Sequence, residues 1–233
     1  MPRRLLSRQI RPRPLDEREI ERYLRILDGK SLYHHPETLP RLCSRQLFGD
    51  NAPLELEVGC GTAEFLCSLA ANEPEVNFVG VDSARRPLYK AVATASSLQL
   101  TNVLFLHADF ARMYPLLEPC SLRQVYVHFP DPNMRPKFHR RKLVTPTFLT
   151  AIHLALVSGG GLSVMTDHAA LFAELLAVIE ADSRFQKDHS ERYLTGFEPD
   201  MKSRFQRIWE RHGLPVLRLE VRKITGVTTD EPS

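Results

Sequence analysis

From residue 54 onward the apolar residues of this chain change period again and again, and each change marks an element. "LELEV" (54–58) is a short β-rich run closed by Gly59 and Gly61, which predicts a strand and a turn. In "AEFLCSLAANEP" the residues Phe65, Leu66, Leu69 and Ala70 share one face, so a helix follows, with Pro74 marking its end. "NFVGVD" (77–82) is a second strand, leading into a helix that runs to Leu98. "VLFLH" (103–107) and "LRQVYVHF" (122–129) are the third and fourth strands, the latter nearly continuous in apolar residues, as burial on both faces requires. A helix over 146–157 is expected to stop at Gly159, Gly160 and Gly161, followed by the strand "LSVMT" (162–166) and the helix of "ALFAELLAVIEAD". The tail carries a short strand near residue 186, a polar helix over 200–212, and "PVLRLEVRK", whose alternation suits a final antiparallel strand. Strands alternating with helices predict an α/β sheet with crossover helices.

The chain has 233 residues, 43% of them hydrophobic, which is material for one domain of the larger kind. The net charge of +3 decides little, but its distribution does. Arg3, Arg4, Arg8, Arg11 and Arg13 open the chain with no acid among them, so residues 1–30 read as a basic N-terminal arm and 31–233 as a single domain. The arm is either a nucleic-acid-binding segment or a solvated tail; with Ser7 as its one serine near the start it does not suit a transit peptide. No apolar run approaches the ~18 residues of a membrane span, so a soluble, cytoplasmic protein with no membrane contact is expected. Cys43, Cys60, Cys67 and Cys120 form no C-x-x-C pair, and they read as reduced thiols without metal. The residues do not decide between a monomer and a homodimer.

In open α/β sheets ligands bind beyond the carboxyl ends of the strands. There this sequence places an acid each time: Glu57 with Gly59 and Gly61 after the first strand, Asp82 after the second, Asp109 after the third and Asp131 after the fourth. The glycines permit a tight bend and close approach of a ligand to the backbone. The motif is E-x-G-x-G, with Ala63 where a dinucleotide fingerprint has its third glycine, which favours a ligand without a pyrophosphate. S-adenosylmethionine fits, having an amino-acid end, a ribose that wants a carboxylate and an adenine that wants an acceptor such as Asp109. After Asp131 comes a run of cations, Arg135, Lys137, Arg140, Arg141 and Lys142, with no acid between them. Such an array attracts polyanions, since phosphate contacts dominate nucleic-acid affinity. His128 reads as packed or hydrogen-bonded and is given no chemical role.

"LELEVGCG", "FVGVD", "VHFPDP" with its basic run, "MTDHAALFAELL" and "LTGFE" resemble, in that order, the tRNA (guanine-N7)-methyltransferases over residues 54–225. The resemblance implies a Rossmann-like class I methyltransferase fold: a seven-stranded, mostly parallel sheet with a C-terminal antiparallel strand and helices on both faces. It implies S-adenosylmethionine as cofactor and tRNA as partner. Glu57, Gly59, Gly61, Asp82, Asp109 and Asp131 match the donor site, with Asp131 also the catalytic candidate. Arg135, Asp167, Thr195 and Glu198 match positions that contact the target guanosine, and Lys137, Arg140, Arg141 and Lys142 belong to the RNA-contact segment. Asn133 stands where the family has Trp, Phe138 where it has His, and Arg135 where it usually has Lys. Two alternatives stay open at this point: a methyltransferase for another RNA, a protein or a small molecule, and a non-catalytic RNA-binding protein on the same fold.

Overall fold

The computed structural model describes residues 13–132, 142–195 and 216–224. Its centre is a run of parallel strands: β2 (Leu54–Val58), β3 (Asn77–Asp82), β4 (Val103–His107), β5 (Leu122–His128) and β6 (Leu156–Thr166). Helices α4 (Glu64–Asn72) and α5 (Arg85–Ser97) join β2 to β3 and β3 to β4; α6 (Pro146–Ala155) precedes β6 and α7 (Ala169–Glu180) follows it. Ahead of these lie α1 (Glu17–Tyr23), β1 (Leu24–Ile26), α2 (Gly29–His34) and α3 (Ser44–Leu47). After them come β7 (Phe185–Lys187), β8 (Leu194–Thr195) and β9 (Leu217–Lys223). The sheet order is β1-β4-β3-β2-β5-β6-β9-β7, with β8 also pairing β9. The chain works outward from β2 to β4 and then returns to the other side of β2, so strand order reverses between β2 and β5.

Period-2 alternation gives the sheet two apolar faces. Leu54, Leu56 and Val58 face the layer that holds Phe148 and Ile152 of α6 and Phe172 of α7. Phe78 and Phe105 face Leu66 of α4 and Leu88 and Val92 of α5. Close packing on this second face explains a glycine inside "NFVGVD". A Cβ on Gly80 would stand 2.8 Å from Cys60 Sγ and 3.1 Å from Leu66 Cδ2. Gly80→Ala is therefore expected to destabilise the protein by about 1–3 kcal/mol through overpacking, read as a lower melting temperature. A variant that melts with wild type would show that Cys60 and Leu66 yield at no cost.

The sheet differs from the expected seven strands. Nine are present among the described residues, because β1 adds a parallel edge strand on β4 and the two-residue β8 pairs β9. β1 is too short for periodicity to reveal. The boundary drawn at residue 30 falls inside α2. α1 begins with a capping box of Asp16 and Glu19, and Tyr23, 3% exposed, donates its hydroxyl to the Leu100 carbonyl at 2.8 Å. The described part of the expected arm is thus packed on the domain, while residues 1–12 lie outside the described residues.

The glycine triplet also reads differently in space. α6 ends at Ala155 and β6 begins at once, with Gly159, Gly160 and Gly161 inside the strand. A Cβ on Gly161 would fall 2.0 Å from Gln124 Oε1, and the β5–β6 register shifts between Leu122 and Gln124. The glycines admit a bulged neighbour rather than stopping a helix. β5 ends at His128, since Phe129 takes a left-handed backbone with φ of 50°. The polar helix expected over 200–212 lies outside the described residues.

Candidate active site

Parallel pairing aligns the carboxyl ends of the central strands. Val58 pairs Val81, Glu57 pairs Tyr126, Asp82 pairs His107 and His128 pairs Met165. The loops after β2 and β5 therefore flank the point where strand order reverses.

Glu57 is the focus of that crevice. It is 4% exposed, and its Oε2 has no hydrogen-bond partner among the described residues. Burial, reinforced by the nearby charge of Asp82, raises its pKa to about 8. Buried carboxyl oxygens normally find a donor, so this one is suited to a cationic or N–H group of a ligand. Beside it, Gly59 has φ of 80° and no described atom within 4 Å of where a Cβ would stand, which leaves the backbone approachable.

Asp82 shapes the same turn. Its Oδ2 accepts from the Gly61 N–H at 2.9 Å and its Oδ1 from the Ala84 N–H at 2.7 Å. Burial raises its pKa, while those two N–H groups and His107 oppose the rise. The glycine turn is anchored on β3 as well, with Gly59 N–H donating to the Val81 carbonyl at 2.8 Å. Ala63, where a third glycine was absent, still adopts a left-handed φ of 50° as it enters α4.

The other candidate acids stand on loops along the same edge. Asp109 opens the short turn Phe110–Arg112, accepts from the Ala111 N–H at 3.2 Å, and lies 3.8 Å from Arg112 Nε. Asp131 is exposed beyond Phe129, whose N–H donates to the Met165 carbonyl at 2.7 Å and whose ring packs with Met165 and Val216. Asp167, half-buried, follows β6. Thr195, exposed, pairs Leu217 of β9, which in turn pairs Thr166 of β6, so Thr195 reaches this edge through two ladders. Lys142 forms an exposed ion pair with Glu174 at 2.7 Å. Arg135, Lys137, Arg140, Arg141 and Glu198 lie outside the described residues. Among the described residues no group of His, Cys, Asp and Glu is arranged to hold a metal ion, and no helix is long and apolar enough to cross a membrane.

One polar chain escapes sequence reading. His128 Nε2 lies 2.9 Å from Ser163 Oγ, and Ser163 donates to Glu220 Oε1 at 2.8 Å. His128 also packs on the rings of Phe65 and Tyr126. Burial, with a smaller contribution from Arg218, lowers its pKa to about 3, so at neutral pH it is uncharged and fills a structural role. The signal lay in strand parity: Ser163 and Glu220 are directly paired across β6 and β9, which the sequence does not show.

A doubly wound sheet with a glycine turn and acids at its carboxyl edge fits a class I, S-adenosylmethionine-dependent methyltransferase, and the relatives of the chain are of that class. A family model described as a putative methyltransferase matches residues 51–219. The chain belongs to the tRNA (guanine-N7)-methyltransferase family. It is 49% identical to the tRNA (guanine-N(7)-)-methyltransferase of Rubrobacter xylanophilus over 95% of this chain and 99% of that protein. It is 35% identical to that of Chloroherpeton thalassium, over 88% of this chain and 91% of the other. Among solved structures, an antibiotic-related methyltransferase aligns with TM-score 0.57 at 16% identity, covering 80% of this chain and 96% of that one. The 16S rRNA methyltransferase KamB aligns with TM-score 0.55 at 18% identity, covering 77% and 92%. These two likenesses concern the fold alone.

Asp82→Asn tests the turn. An amide offers one acceptor where the carboxylate offers two, and its NH2 would face a backbone N–H. The expected result is a donor affinity lowered about tenfold or more, with about 1–3 kcal/mol of stability lost. Calorimetric titration with S-adenosylmethionine reads the first effect; an affinity equal to wild type would separate Asp82 from the site.

Proposed function

We infer that the chain transfers a methyl group from S-adenosylmethionine to N7 of a guanosine in tRNA, forming 7-methylguanosine. The observation that carries this is the relation to a tRNA (guanine-N(7)-)-methyltransferase over nearly the whole of both chains. The buried Glu57 oxygen at the strand reversal, unpartnered among the described residues, independently supports the donor-binding half of that reading.

When bound, the cofactor supplies a methyl group activated by a sulfonium. Glu57 would take the ammonium of its amino-acid end, and the open backbone at Gly59 would let that end approach. Asp82 holds the ribose hydroxyls and Asp109 the adenine amine. Both carboxylates keep lone pairs beyond those given to the backbone.

Guanine N7 is an acceptor at neutral pH, so no general base has to free it. The protein's work is alignment and charge. As N7 takes the methyl group, the purine gains positive charge, which Asp131 and Glu198 favour by accepting from its N–H groups. Asp167 and Thr195 fix the nucleoside. Arg135, Lys137, Arg140, Arg141 and Lys142 hold the phosphates. The Lys142–Glu174 pair is exposed and worth only about 0–1 kcal/mol, so Lys142 exchanges readily to a phosphate. A tRNA substrate calls for a cytoplasmic enzyme.

The test is methyl transfer from labelled S-adenosylmethionine to unmodified bulk tRNA, followed by separation of the nucleosides. Label in 7-methylguanosine is expected, with a rate that falls steeply with salt. Label in any other nucleoside, or none with donor binding intact, would overturn the inference.

A further inference from the structure

A second feature of the carboxyl edge adjoins the turn that Asp109 opens and extends from it toward α2. β1 and β4 end side by side, with Ile26 paired to His107. Beyond them the chain turns outward on both sides, into α2 after β1 and into the turns Phe110–Arg112 and Tyr114–Leu116 after β4. Between these runs an open groove of about 1080 Å³, its walls including Leu32, Tyr33, His34 and Tyr114 and its cations Lys30 and Arg112.

One side chain there is oddly exposed for a packing residue. Tyr33 is 76% exposed, more than any other large hydrophobic side chain among the described residues. His34 holds it edge-on, the ring centroids 4.8 Å apart at 85°. Arg112 reaches across the start of α2, its Nη1 3.0 Å from where a Cβ on Gly29 would stand. Asp28, the acid of the lining, is occupied: it accepts from the backbone N–H groups of Lys30 and Ser31 at 2.8 and 3.2 Å and from the Ser31 hydroxyl. Arg112 meets Asp109 only at 3.8 Å, with both side chains more than half exposed. The groove thus offers an aromatic side chain beside cations, on the edge where the proposed function places the substrate.

We propose that this groove binds an unpaired nucleotide of the tRNA other than the target guanosine, its base stacked on Tyr33 and its phosphate between Lys30 and Arg112. The proposal rests on the functional inference above. Aromatic faces with adjacent cations are how proteins hold unpaired RNA, because every base has a face to stack and a phosphate to neutralise. A protein partner fits less well, since the recess carries exposed cations and its acid is already hydrogen-bonded.

The test uses the full chain and unmodified tRNA, with tRNA binding measured directly by filter retention as well as KM and kcat. Tyr33→Ala is expected to raise the tRNA Kd and KM about tenfold, leaving kcat at saturating tRNA unchanged. Tyr33→Phe should behave as wild type, since the ring face remains. Lys30→Ala should weaken binding and lower the slope of log Kd against log salt by about 1. Tyr33 and Lys30 are exposed, so melting temperatures should not move. Wild-type tRNA affinity in the Lys30→Ala, Tyr33→Ala double variant would overturn the proposal. So would a loss of S-adenosylmethionine affinity in Tyr33→Ala, which would assign the groove to the donor site. Failure of the functional inference looks different: wild type would leave tRNA unlabelled, while filter retention still judges the groove.

Discussion

Asp131→Ala is expected to lower kcat by about 10²–10³-fold with donor and tRNA both saturating, and to leave the melting temperature where it is. The second half follows from exposure: Asp131 stands beyond the core, and the chain at that point is anchored by Phe129 through its N–H to Met165 and its ring against Met165 and Val216. The first half follows from the chemistry of N7. An acceptor that needs no deprotonation gains nothing from a base, so a carboxylate beside it acts on the charge the purine acquires. That charge is small in the bound substrate and large at the transition state, so the loss should appear in kcat rather than KM. Asp131→Asn keeps one acceptor oxygen and should fall between wild type and Asp131→Ala. Rapid-quench turnover with labelled donor measures all three, and wild-type kcat in Asp131→Ala would remove the catalytic assignment.

The second large effect belongs to Glu57 and is visible through pH. Its pKa in the folded protein is about 8, against an ordinary 4.5, because burial and Asp82 disfavour the charge. The folded state therefore holds a proton that the unfolded state has released between those values. This contribution to stability is complete below about pH 4.5 and is lost as pH rises through about 8. A cationic ammonium binds the ionised form, so donor binding at pH 7 should release a proton. Affinity should climb as pH approaches 8, and the heat of binding should depend on the ionisation enthalpy of the buffer. Glu57→Gln keeps the shape and removes the charge. It should weaken donor binding at pH 8 by about 10–100-fold, abolish the proton release, and melt higher than wild type at that pH. Calorimetry in two buffers of different ionisation enthalpy decides: equal heats in wild type would refute the assignment.

Much of this was legible in the residues. β2, β3 and β4 begin and end where the apolar runs do, because Gly59, Asp82 and the turn after His107 punctuate them locally. The candidate acids were found by their place after strands. What stayed hidden depends on which strands become neighbours. Gly159, Gly160 and Gly161 look like a helix stop until Gln124 is seen to occupy the space a Cβ at residue 161 would need. Asp82 looks like a ligand-binding acid alone, whereas it also holds Gly61 and Ala84. β1 has three residues, of which only Leu24 is buried, and so carries no period to detect.

The placement of β9 reaches beyond catalysis. It lies between β6 and β7 rather than at the rim, and pairs six residues of β6 from Gly161 to Thr166. On the ribosome every strand from β1 to β8 emerges first, so the growing chain carries an unpaired edge on β6 until residues 217–223 arrive. Exposed edges of this kind invite pairing with other chains. Among the described residues Thr195 is paired through β9 alone, so a chain cut short before residue 217 has an open edge and leaves Thr195, which we propose fixes the nucleoside, without its strand partner. On that proposal synthesis has to be completed before the protein can modify RNA, and prematurely terminated copies should be aggregation-prone rather than partly active.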